Sequence, residues 1–264
     1  MVRIAVGIEY DGSAYAGWQA QGSVPTLQAV LEEALGRIAA QPVSLTCAGR
    51  TDAGVHSLGQ VAHFDTRAVR SLRGWVLGTN SELPRDVSVA WALPMPGHFH
   101  ARYCAEARTY RYLVLNRPAR QALLAGRAAW VHRPLDHERM HAAAQLLLGE
   151  HDFSAFRAAE CQSKSPVRRM ERVQVGRLGE FVVIEATANA FLHHMMRNIA
   201  GLLLAIGRSE APVELAQEVL GGRDRTRNAA TAPAAGLYLL SVRYPAAFGV
   251  PTPPAAGVFP PDRL

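Results

Sequence analysis

Cysteine is scarce in this chain. The three present, Cys47, Cys104 and Cys161, stand far apart with no C-x-x-C pairing, which argues against a disulfide framework and a four-ligand zinc site and fits a reducing compartment. Long apolar runs are missing as well. The longest, IAGLLLAIG, is too short to span a bilayer, and the opening MVRIAVGIEYDG has neither the apolar core nor the cleavage site of a signal peptide. The expectation is a cytoplasmic protein without a membrane anchor. Acidic residues are the minority charge: 22 Asp and Glu face 28 Lys and Arg, a net +6 with a pI near 9.6, which favours a polyanionic partner without naming it. What is plentiful is hydrophobic residue, 49% of 264, enough to bury a core in one or two domains.

Along the chain, Val2 to Tyr10 reads as a strand, and Thr26 is placed to cap a helix whose pattern runs through Leu31, Leu35 and Ile38. An apolar run ending at Cys47, a Gly-rich turn, the strand-like VAHFD, a helix-like AVRSLRGWVLG and a strand from Val87 to Leu93 complete a βαββαβ order. From Thr109 a similar cycle follows: strand TYRYLVLN, helix Glu138 to Leu148, strands near Val173 and Phe181 to Thr187, a long helix, and a last strand GLYLLSVRY. The fold class expected is α+β. It consists of two similar split-βαβ (ferredoxin or RRM-like) halves, 1–104 and 105–245, with antiparallel sheets flanking a basic active-site cleft. Residues 246–264, rich in proline, are expected to form a tail without regular structure.

The stretch AGRTDAGVH, from Ala48 to His56, joins two strand-like runs with small residues that let a bulky ligand approach the backbone. If residues 50–52 are extended, Arg50 and Asp52 share a side while Thr51 faces away. An adjacent arginine keeps a carboxylate ionised in a partly dry pocket, as a nucleophile or base requires. The same spacing also fits an exposed ion pair on an ordinary turn.

A wider pattern bears on that choice. AGRTDAGVHSLGQVAHFDT is similar to the signature of the TruA class of tRNA pseudouridine synthases. YDGSAYAGWQAQ, FHARYCAEARTYRYLVLN, FRAAECQSKSPVRRM, NAFLHHMMRNIAGLLLAIG and PAAGLYLLSVRYP agree in the same order over nearly the whole chain. The resemblance implies an isomerase that converts uridine to pseudouridine at tRNA positions 38, 39 and 40, a homodimer, and no cofactor. It makes Asp52 the catalytic aspartate, Arg50 its companion, Tyr110 the ring that stacks on the target base, and Arg197 a functional arginine at the substrate. The chemistry suits these residues. The bond from ribose C1′ to uracil N1 breaks, the base turns, and C1′ joins C5, so neither hydride carrier nor metal is required. The carboxylate could attack C1′ or C6, or remove a ribose proton, and the residues do not choose among these. Stacking on an aromatic contributes ~1–3 kcal/mol per base, which offsets much of the cost of unstacking a uridine.

Within TYRYL, Tyr110 and Tyr112 share one strand face and Arg111 takes the other. A helix over Phe191 to Ile206 would put Leu192, Met195, Ile199, Leu202 and Ile206 on its core stripe, with His193 and Arg197 on another side. Adjacent His193 and His194 would then diverge, and His137 and His141 have no recognisable third ligand, so no metal site is expected. Arg168, Arg169 and Arg172, with Lys164 before them, form a basic cluster suited to RNA phosphates, or to a solvated strand edge. Two rivals share much of this pattern. A non-catalytic RNA-binding protein gains nothing from Asp52, since a carboxylate repels phosphate, and a glycoside or nucleoside hydrolase usually needs a second carboxylate.

Overall fold

The computed structural model describes residues 1–120 and 122–252. It is an α+β structure whose chain divides into two compact units, one built from residues 1–106 and the described chain from Tyr238 onward, the other from Ala107–Leu237. The division falls after Glu106. The last strand, which the sequence reading gave to the second half, belongs with the first unit.

The first unit follows the βαββαβ order: β1 (Val2–Tyr10), α1 (Leu27–Ala39), β2 (Thr46–Cys47), β3 (His56–Thr66), α2 (Thr79–Glu82) and β4 (Val87–Met95). β1 is central, antiparallel to β3 and to β4. The outer edge of β3 is shared. β2 is only two residues long and pairs antiparallel at Ala62 and His63, while the C-terminal β10 (Leu237–Arg243) pairs parallel at His56 and Ser57. Alternation along β1 sends Ile4, Val6, Ile8 and Tyr10 into a core shared with Leu27, Leu31 and Leu35 of α1 and with Phe64 and Trp75. The helix-like AVRSLRGWVLG becomes a π-type turn, Gly74–Gly78, leading into α2. The turn buries Trp75 edge-on against Phe64 at 5.3 Å.

The second unit has the strand order β5 (Ala107–Asn116), β9 (Phe181–Ala188), β8 (Val167–Leu178), β7 (Gly149–Asp152), all antiparallel, with β6 (Ala129–Val131) parallel to β5. Its helices are α3 (His137–Gln145), α4 (Met195–Gly207) and α5 (Leu215–Gly222). Asp136 caps α3 by accepting from the Glu138 and Arg139 amides. Two parallel pairs, β3 with β10 and β5 with β6, correct the expectation of wholly antiparallel sheets. The proline-rich stretch is also not wholly irregular: Ala246–Phe248 form a 3-10 turn, and Phe248 meets Phe99 at 5.1 Å. The remainder of that predicted tail, 253–264, lies outside the described residues.

Candidate active site

The Asp52 loop runs from the end of β2 to the start of β3, and it is fixed mainly through its backbone. Thr51 is buried, its hydroxyl sharing a 2.8 Å hydrogen bond with the Tyr10 hydroxyl, and its carbonyl accepts from the Trp18 amide at 3.0 Å. Gly54 donates to the Tyr15 carbonyl at 3.3 Å, and Gln60 Nε2 to the Gly49 carbonyl at 2.7 Å. With Thr51 facing the core, Arg50 stands exposed and Asp52 half-buried, the division expected of an extended tripeptide. Two glycines make this approach possible. A Cβ on Gly12 would lie 2.0 Å from the Val55 carbonyl oxygen; one on Gly17, whose φ is +97°, would lie 2.8 Å from that of Thr51. The Gly17 and Trp18 carbonyls in turn accept from Leu27 and Gln28, the first amides of α1. Thr26 therefore occupies the predicted N-cap without capping; its hydroxyl is buried and unpaired, and main-chain carbonyls do that work. Behind the loop, burial pushes the Cys47 thiol up to about 12 against the opposing influence of Arg50, so it stays protonated and inert.

In the second unit, the strand alternation predicted for β5 holds. Arg111 forms an ion pair with Glu185 at 2.9 Å on one face. On the other, Tyr110 meets Phe191 edge-on at 4.8 Å, and Tyr112 is fully buried with its hydroxyl donating to the Pro233 carbonyl at 2.8 Å. Burial raises the Tyr112 pKa, and the nearby positive charge of Arg197 works in the opposite direction. Arg197 lies in the first turn of α4. Every other residue from Met195 to Gly207 is buried, so Arg197 is the one position of this helix that is not. Its Nε donates to the Ala232 carbonyl at 2.9 Å, and its own carbonyl accepts from the Ala232 amide at 3.1 Å. That bond restrains the orientation of the guanidinium.

Comparison with known proteins now bears on these residues. A model of the tRNA pseudouridine synthase family matches residues 6–104 and 143–245. This chain belongs to that family. A protein of Pseudomonas aeruginosa named tRNA pseudouridine synthase A is 56% identical over 250 residues, covering 94% of this chain and 88% of its own length. Proteins of the same name from Hydrogenovibrio crunogenus and Vibrio cholerae are 53% identical over 251 residues and 52% identical over 263. They cover 95% and 100% of this chain, and 96% and 100% of their own lengths. The family's matched segments include Arg50, Asp52 and Arg197, whereas Tyr110 lies between them.

The pseudouridine synthase reading also drew in the Lys164, Arg168 and Arg169 cluster, which the structure divides. Lys164 and Arg169 are exposed, Arg169 pairing with Glu171 at 3.1 Å. Arg168 turns inward, donating to Ser163 Oγ at 2.7 Å and to the Ser165 carbonyl at 3.0 Å, and burial lowers its pKa. It organises its own loop. The helix expected over Phe191 to Ile206 begins only at Met195, because His194 takes a left-handed conformation with φ 61° at the N-cap position. This corrects the divergence expected of His193 and His194: lying ahead of the helix, their rings come within 4.1 Å. Gly12, Gly17, Trp18 and Tyr10, which hold the Asp52 loop, went unassigned in the sequence. Their signal was the paired glycines of YDGSAYAGW, one of the stretches that agree with the family alongside the aspartate loop.

Proposed function

We propose that this chain isomerises uridine to pseudouridine in the anticodon stem-loop of tRNA, at positions 38, 39 and 40, with Asp52 as the catalytic carboxylate. The observation that carries the reading is identity of 52–56% over almost the full chain with proteins named tRNA pseudouridine synthase A. In this reading Asp52 is the reacting carboxylate with Arg50 as its companion, Tyr110 stacks on the extruded uracil, and Arg197 meets the nucleotide as a donor. Lys164 and Arg169 contact backbone phosphates, and Arg168 shapes the loop that presents them. The reaction moves a glycosidic bond from N1 to C5 with no change in redox state, so it asks for a positioned carboxylate and a dry, base-sized space rather than a redox cofactor. A homodimer would let one folded tRNA lie across two subunits.

The test is direct. Purified protein is incubated with unmodified tRNA, and pseudouridines are mapped by mass spectrometry after chemical labelling. The expected result is new pseudouridine at positions 38–40 with the RNA mass unchanged. Free uracil would indicate a hydrolase, and tight binding without any new pseudouridine would leave only an RNA-binding protein; either outcome contradicts the proposal.

A further inference from the structure

We infer that Arg225 is a positioning residue for Arg197, clamping the segment 225–233 against α4 so that Ala232 holds the Arg197 guanidinium in one orientation. The inference rests on the reading above, in which Arg197 meets the substrate.

The clamp is built around Asn198, the residue after Arg197 and fully buried. A buried amide left unpaired is destabilising, and here both ends are paired. Asn198 Nδ2 donates to the Phe156 carbonyl at 2.8 Å, so its Oδ1 must face the other way. There it accepts from Thr231 Oγ1 at 2.7 Å and from Arg225 Nη2 at 3.1 Å. Arg225 Nη2 also donates to Thr231 Oγ1 at 2.9 Å, closing a triangle in which the threonine accepts one bond and donates another. Arg225 Nη1 reaches the Ala229 carbonyl at 3.1 Å. A guanidinium has donors only, and acceptors spread in one plane match its fork.

One turn along α4, the segment lies directly on the helix: a Cβ on Gly201 would come 2.0 Å from the Ala230 carbonyl oxygen. The chain then reaches Ala232, whose amide and carbonyl take the two bonds to Arg197. At Pro233 the carbonyl accepts from Tyr112, on the strand face that Tyr110 shares. The clamp thus holds Arg197 and the tyrosine strand to one short piece of chain. Misplacing a substrate-contacting group by about 1 Å can cost ~100-fold in rate, so loss of the clamp should act on turnover.

The experiment is a double-mutant cycle on the full-length protein: wild type, Arg225→Gln, Arg197→Lys and the pair together. Single-turnover pseudouridine formation at saturating tRNA, tRNA Kd and melting temperature are measured for each. Arg225→Gln is expected to slow the wild type by about tenfold or more, with Kd within about threefold. In the Arg197→Lys background it should cost less than about threefold, and Arg225→Lys should recover part of the rate. Thr231→Val, which removes the hydroxyl without changing volume, should act in the same direction and serves if Arg225→Gln does not fold. An equal cost in both backgrounds, or an effect confined to Kd, would overturn the inference alone. Wild-type rates for Arg197→Lys by itself would overturn the role given to Arg197, and the inference with it.

Discussion

The loop carrying Asp52 and the helix carrying Arg197 are immobilised by different physics. Around Asp52, main chain meets main chain: Thr51 on Trp18, Gly54 on Tyr15, with Gly12 and Gly17 removing the Cβ atoms that would hold the strands of the loop apart. Around Arg197, side chains do the holding, through Asn198, Thr231 and Arg225, although Gly201 admits a backbone contact there too. Backbone contacts resist substitution at the glycines and tolerate it elsewhere. A side-chain network can be taken apart one bond at a time.

The largest effect should come from Gly12→Ala. A carbonyl oxygen at 2.0 Å belongs to the backbone and cannot swing aside, so Val55 and with it the Asp52 loop must shift. We expect a loss of about 3 kcal/mol in urea unfolding and of about 100-fold or more in pseudouridine formation. Full activity in Gly12→Ala would break the comparison, because the loop would then not depend on that close approach.

The next effect separates the units by pH. His63, buried in the first unit, accepts from the Ala101 amide at 3.2 Å; burial first, then the charges of Arg3 and His100, lower its pKa from 6.5 to about 4. The unfolded chain therefore takes up this proton first. The contribution is complete above pH 6.5 and fades as pH falls toward 4, up to about 3 kcal/mol. The shifted carboxylates of the second unit, Asp152, Glu210 and Asp224, lie below their usual range, so their contributions decline only as pH falls below about 4.5. Hydrogen exchange at pH 7 and pH 5 should show protection falling in the first unit before the second, and His63→Gln should flatten the difference. Equal loss in both units would contradict it.

How much of this was legible beforehand depends on which chemistry leaves a mark in the sequence. Element order and the in-and-out alternation of Tyr110, Arg111 and Tyr112 follow from hydrophobic period, and the small residues of AGRTDAG advertise a loop meant for close approach. The start of α4 was misplaced because nothing in NAFLHHMMRN signals that His194 adopts φ 61°. Thr26 stands at the N-cap as expected, but the first amides of α1 are met by the Gly17 and Trp18 carbonyls, ten residues upstream and brought there by folding. β10 crosses to the first unit and runs parallel to β3, a pairing set by topology. Arg225 reads as one more charge in RDRTRN, since a buried asparagine that needs it is invisible until the loop is folded onto α4.

The smallest effect sharpens the role of surface charge. Exposed Arg169 pairs with half-buried Glu171 at 3.1 Å near the surface, so Arg169→Gln should change stability by less than about 1 kcal/mol. If Arg169 neutralises an RNA phosphate, the same variant should weaken tRNA binding and lower the slope of log K against log salt by about one. An unchanged slope would remove Arg169 from the RNA contacts.

The central claim is that Asp52 acts chemically as a carboxylate. Asp52→Asn keeps the shape of the side chain and removes its charge, leaving Thr51 and the glycine contacts in place. Measured with labelled tRNA under single-turnover conditions, this variant should bind tRNA about as tightly as wild type and form no detectable pseudouridine. Pseudouridine at the wild-type rate would contradict the account.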